Sequence, residues 1–130
     1  MYKIEKRKGG LALTFGDTLS KEELVRWFKE SEQALTKCRG SFGVIIDMRT
    51  LKLLPPDAQA VMVQGQSLYK KAGMERSAVL LLSPVMTIQF KRLGKESGIY
   101  AFERYIDASS DAHWQKHAAD WVDSGIDPDK

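Results

Sequence analysis

Phe42-Gly43-Val44-Ile45-Ile46-Asp47-Met48 is a short run, rich in β-branched residues and apolar at almost every position. A strand with one wet face alternates apolar and polar residues. A run without alternation belongs to a strand covered on both faces, as in parallel sheets. Ser77-Ala78-Val79-Leu80-Leu81-Leu82 reads the same way. The two runs are therefore expected to lie side by side and parallel inside the molecule.

Between them, Pro55-Pro56 opens a helix, since proline is tolerated in a first turn. Ala58, Val61, Met62, Gly65, Leu68, Tyr69 and Ala72 form its apolar stripe, and Gly73 ends it. Gly65, in mid-stripe, predicts a close approach of this helix to the sheet. After the second run, Ser83-Pro84 reads as a cap and a first-turn proline, starting a helix through about Ser97 that Gly98 closes. Ile99 to Ile106 supplies a last strand, centred on Phe102–Ile106. Ser109-Ser110-Asp111 is expected to cap a fourth helix with Trp114, Ala118, Trp121 and Val122 along one side. Asp123 to Lys130 reads as a frayed acidic tail.

Upstream, Tyr2, Ile4 and Lys6 alternate with Lys3, Glu5 and Arg7, Gly9-Gly10 makes a turn, and Leu11, Leu13 and Phe15 face one way. That is a hairpin pattern. Ser20 and Glu23 have capping-box spacing, and Leu19 and Leu24 that of a hydrophobic staple. Leu24, Trp27, Phe28, Ser31, Leu35 and Cys38 continue at helical spacing up to Gly40. The order is β-β-α-β-α-β-α-β-α. Alternating strands and helices after a hairpin predict one α/β domain over residues 1–124, with a mixed, mainly parallel sheet. Residues 125–130 make a short acidic tail.

The 130 residues are 43% hydrophobic, enough for one core. The longest apolar stretch, Ala78 to Leu82, is far too short to cross a bilayer. Met1-Tyr2-Lys3-Ile4-Glu5 is followed by no apolar signal region, so a cytoplasmic location is expected. The single cysteine, Cys38, cannot form an internal disulfide, and it reads as a small packed hydrophobe. Residues 1–106 carry 18 Lys and Arg against 11 Asp and Glu, whereas residues 107–130 carry 2 against 6. The basic excess is scattered, without interleaved aromatics or a reading helix, so no nucleic-acid partner is expected.

At Val44-Ile45-Ile46-Asp47-Met48-Arg49-Thr50-Leu51, at Leu82-Ser83-Pro84 through Gly98-Ile99, and in the final strand with its helix, the chain resembles a known family. It is similar to the SpoIIAA-like group of the STAS (anti-anti-sigma factor) family, over about Met1 to Val122. Bacterial proteins of this group are also similar to Sec14-like lipid-binding domains. The resemblance implies a non-catalytic regulatory module that binds a protein partner, or alternatively a carrier of a small lipophilic ligand. The family switches partner binding by phosphorylating a serine at the start of the helix after the third strand. Here that segment reads Leu54-Pro55-Pro56-Asp57-Ala58, with no hydroxyl residue. Asp57 stands about where the phosphoserine would be, either as a permanent negative charge or simply as complement to the helix dipole.

Asp47, Arg49, Thr50 and Ser83 are expected at the carboxyl ends of the two central strands, the rim where α/β proteins gather functional groups. Alternatively Asp47 and Arg49 pair locally, and Thr50 caps a turn. Asp57 and, on the third helix, Lys91 complete the candidate partner or ligand contacts. His113, His117 and Asp120 share one helical face, within about 60° of one another, a weak zinc pattern that a solvated polar face explains equally. Ser83 lacks the Gly-x-Ser-x-Gly elbow of an exposed nucleophile, and no phosphate loop or dinucleotide fingerprint occurs, so neither enzyme activity nor a cofactor is expected. Trp27, Phe28, Met62, Tyr69, Met86, Phe90, Tyr100 and Trp114 either pack the core or line a cleft for an apolar ligand. A free edge strand leaves homodimerisation open.

Overall fold

The two apolar runs are indeed neighbouring parallel strands. A computed structural model describes all residues, 1–130. Its elements are β1 (Tyr2–Arg7), β2 (Gly10–Phe15), α1 (Lys21–Leu35), β3 (Phe42–Asp47), α2 (Pro56–Ala72), β4 (Met74–Leu81), α3 (Pro84–Ser97), β5 (Glu103–Asp107) and α4 (Trp114–Ser124), with one 3₁₀ turn at Tyr100–Phe102. The five strands lie in sheet order β1-β2-β3-β4-β5. β1 and β2 are antiparallel, with Ile4 opposite Leu13, and every later pair is parallel. β3 and β4 register Val44 against Ser77 and Ile46 against Val79.

Three crossovers that step in one direction with a common hand place their helices on one face of the sheet. The main core follows from that. Leu24 and Trp27 of α1, Met62 and Tyr69 of α2, and Phe90 and Leu93 of α3 pack there on Leu13, Val44 and Val79. Only α4 covers the other face, where Ala118, Trp121 and Val122 pack on Ala78, Leu80 and Ile106. No helix is long and apolar enough to cross a membrane.

The caps form as their residues dictate. Ser20 Oγ accepts the Glu23 amide at 3.1 Å while the Glu23 carboxylate takes the Ser20 amide at 3.4 Å. Leu19 and Leu24 of the staple are both buried. Gly73 and Gly98 end α2 and α3 in the left-handed conformation.

Several expectations are corrected. α1 stops at Leu35, not near Gly40: the Thr36 hydroxyl donates to the Gln33 carbonyl at 2.6 Å, and tight i→i+3 turns at Lys37 and Cys38 finish it. Cys38 is therefore outside the helix and half-buried. Gly65 admits α1 rather than the sheet, because a Cβ there would land on the Trp27 ring. Ala72 is exposed, and Gln66 takes the buried place on the stripe. The last strand begins one residue later than Phe102, after the 3₁₀ turn. α4 begins at Trp114, with His113 as its cap position, since Asp111 Oδ1 accepts the His113 amide and holds the preceding residues in a turn. The acidic tail is not frayed. Asp127 grips Arg104 of β5 with two hydrogen bonds of 2.9 and 3.0 Å, and Asp123 grips Arg7 of β1 with two of 2.8 Å.

Candidate functional site

Parallel strands all end at the same side of the sheet, so the residues after β3 and β4 meet at one rim. Asp47 is the last residue of β3, and Arg49 folds back on it. The guanidinium donates through Nε at 3.0 Å and through NH2 at 2.9 Å, and the Arg49 amide adds a third bond at 3.0 Å. Partial burial pushes the Asp47 carboxyl up, but the Arg49 fork outweighs it and holds the group below the ordinary carboxylate range. The same guanidinium lies 4.4 Å from the centre of the Trp114 ring, a cation–π stack that joins the end of β3 to α4.

Thr50 is exposed, and its carbonyl accepts the Asp17 amide at 3.1 Å. Ser83 caps α3: its hydroxyl oxygen accepts the Met86 amide at 3.4 Å. Asp57 is exposed in the first turn of α2 and accepts the Ala58 amide at 2.8 Å. The loop between β3 and α2 is clamped to α3 by Gln89, which accepts the Leu54 amide at 3.0 Å and donates to the Leu54 carbonyl at 3.2 Å. Around this clamp stand four of the seven exposed large hydrophobic residues: Leu53 (53% exposed), Leu82 (48%), Val85 (56%) and Ile88 (69%). The apolar exposure is thus concentrated at the rim. Sequence reasoning missed it: Leu82 sits in a run that reads as core, and Leu53 falls in a loop that carries no pattern of its own.

The remaining candidates lie elsewhere. Lys91 is not at the rim. It lines a separate cleft of about 300 Å³ against β5, with its ammonium 5.7 Å from the Tyr105 ring centre. His113 is the cap position of α4, and its ring stands edge-on to His117 at 6.2 Å, as the spacing implies, but the other partners are drawn apart. His117 Nδ1 pairs with Asp111 at 2.6 Å, and Asp120 takes Lys116 at 2.6 Å. No group of three or more His, Cys, Asp or Glu side chains converges on one point.

The aromatic and methionine residues mostly fill the core. Trp27 stands edge-on to Phe15 at 5.1 Å and stacks on Tyr69 at 5.6 Å, and the Tyr69 hydroxyl meets Ser31 at 2.7 Å. The cavity they enclose measures about 20 Å³. That is room for one water. A buried carboxyl lines it. Glu103, on β5 beside Ser77, is 2% exposed and accepts the Ser77 hydroxyl at 2.7 Å. Its other oxygen, Oε1, has no hydrogen-bond partner. The nearby Tyr105 hydroxyl donates instead to the Phe90 carbonyl at 3.3 Å. Burial raises the Glu103 carboxyl to about 7 against the smaller opposing pull of Ser77 and Tyr105. Period-two alternation places Glu103 with Tyr105 on one face, yet nothing local shows that α3 covers it.

No protein-family model matches this chain, and no curated protein matches it.

Proposed function

We propose that the chain is a non-catalytic regulatory module of the STAS-like type that binds another protein through the rim around Asp47, Arg49 and the start of α3. The observation that carries this reading is the exposure of Leu53, Leu82, Val85 and Ile88, all about half exposed or more, in the loop after β3 and at the start of α3, at the same end of the sheet as the Asp47–Arg49 pair. Exposed apolar residues gathered beside fixed charged groups match the anatomy of protein interfaces, where an apolar centre is ringed by polar groups. Ser83 and Asp57 stand at the first turns of α3 and α2. Both side-chain oxygens accept amides of adjoining helix starts, which are structural tasks. With Asp57 in the place of a phosphoserine, the module carries a fixed charge there and is not switched by a kinase at that position.

Carriage of an apolar ligand enclosed between the helices and the sheet ranks second. It asks the core cavity of about 20 Å³ to open to roughly 300 Å³ or more. Binding at the rim asks for no rearrangement.

The test is affinity capture from the native cell at near-physiological concentration, with the parent chain and the V85D/I88D variant in parallel. The expected result is one protein recovered in near-stoichiometric amount by the parent and lost with the variant, whose circular dichroism and urea midpoint match the parent. Recovery of the same protein by both chains, or of no stoichiometric protein by the parent, overturns the reading.

A further inference from the structure

At the opposite end of the sheet from the rim, the turn between β1 and β2, the residues after α1 and the start of β3 enclose a cleft of about 420 Å³. Its apolar wall is made by Ile4, Leu11, Ala34 and Phe42. Its charged groups are Lys6, Arg7, Lys37 and Arg39, and no Asp or Glu lines it. Arg7 is compensated, because both its terminal nitrogens are bound by Asp123 at 2.8 Å. Lys6, Lys37 and Arg39 take part in no salt bridge.

A simpler role for these cations is to complement the carbonyl end of α1, which has no basic residue in its last turn. That end amounts to about half a negative charge. Three uncompensated cations exceed it several-fold, so the cleft retains a positive field over an apolar wall. Its volume lies within the range of small-molecule sites.

We infer that this cleft binds a small amphipathic anion: an apolar body against Ile4, Leu11, Ala34 and Phe42, with one carboxylate or phosphate head among Lys6, Lys37 and Arg39. Neither half suffices alone. The wall gives affinity to the body, and the cations select the head and set its orientation. The site is separate from the rim and does not depend on the protein-binding reading.

Cys38, the only cysteine, also lines the cleft and reports on it directly. The experiment is the rate of Cys38 alkylation by iodoacetamide, with and without octanoate, octanol or inorganic phosphate at equal concentration. Octanoate is expected to slow the reaction saturably, and octanol and phosphate to leave it unchanged. In the K37E/R39E variant the octanoate concentration for half-protection is expected to rise about tenfold, as loss of two exposed charge contacts and their reversal implies. The K21E/K29E variant, with the same change in net charge but placed on α1 away from the cleft lining, is expected to keep the parent value. Equal protection by octanol, equal protection by phosphate, no protection by octanoate, or equal loss in both variants overturns the inference.

Discussion

Glu103→Gln isolates the energetic consequence of a buried carboxyl. Glu103 is 2% exposed, lines a small cavity, and has one oxygen bound by Ser77 and the other without a partner. Its carboxyl is displaced from 4.5 to about 7. A displacement of that size corresponds to about 3 kcal/mol between the protonated and ionised forms. Because the folded value is raised, the folded state binds the proton more tightly than the unfolded chain. The associated stability is fully present below about pH 4.5 and is lost as the pH rises through about 7. Glutamine has the same shape, can still accept from Ser77, and is neutral throughout. Urea unfolding of both chains at about pH 4 and about pH 8 is the assay. The variant is expected to match the parent to within about 1 kcal/mol at the acid end, and to exceed it by about 3 kcal/mol at the alkaline end. Groups elsewhere titrate alike in both chains and cancel. A difference that does not change with pH refutes the reasoning.

Gly65→Ala is expected to cost about 2 kcal/mol in urea unfolding, because the new methyl meets a Trp27 ring held between Phe15 and Tyr69. Ser20→Ala removes the acceptor for the Glu23 amide, and a loss of about 1 kcal/mol is expected in the same assay.

Much of the architecture is legible in local chemistry. β3 and β4 announce themselves as apolar runs, and Ser20-Glu23, Ser83-Pro84, Gly73 and Gly98 mark helix ends by rules that act within four residues. One error is local, and the others arise where a distant group decides. Thr36 ends α1 early through its own hydroxyl, a bond that competes with continuation of the helix. The last residues look like a solvated tail until Arg104, more than twenty positions upstream, is brought beside Asp127. Glu103 reads as an ordinary strand charge, and only the path of α3 over β5 removes it from water. Of the candidate site, Asp47, Arg49, Thr50 and Ser83 do gather at one rim, since parallel strands end together. Lys91 does not join them, because it lies farther along α3 against β5, and the weak zinc pattern of His113, His117 and Asp120 is broken up, His117 pairing with Asp111 and Asp120 with Lys116.

The placement of α4 also bears on what any partly open form of the chain would show. With α4 undocked, Ala78, Leu80 and Ile106 leave one face of the sheet apolar and bare, and residues 1–106 carry an excess of positive charge. Asp123 and Asp127 sit together on the covering segment and engage Arg7 and Arg104 on the two outermost strands. One short segment therefore both shields the apolar face and ties the two edges of the sheet by opposite charge.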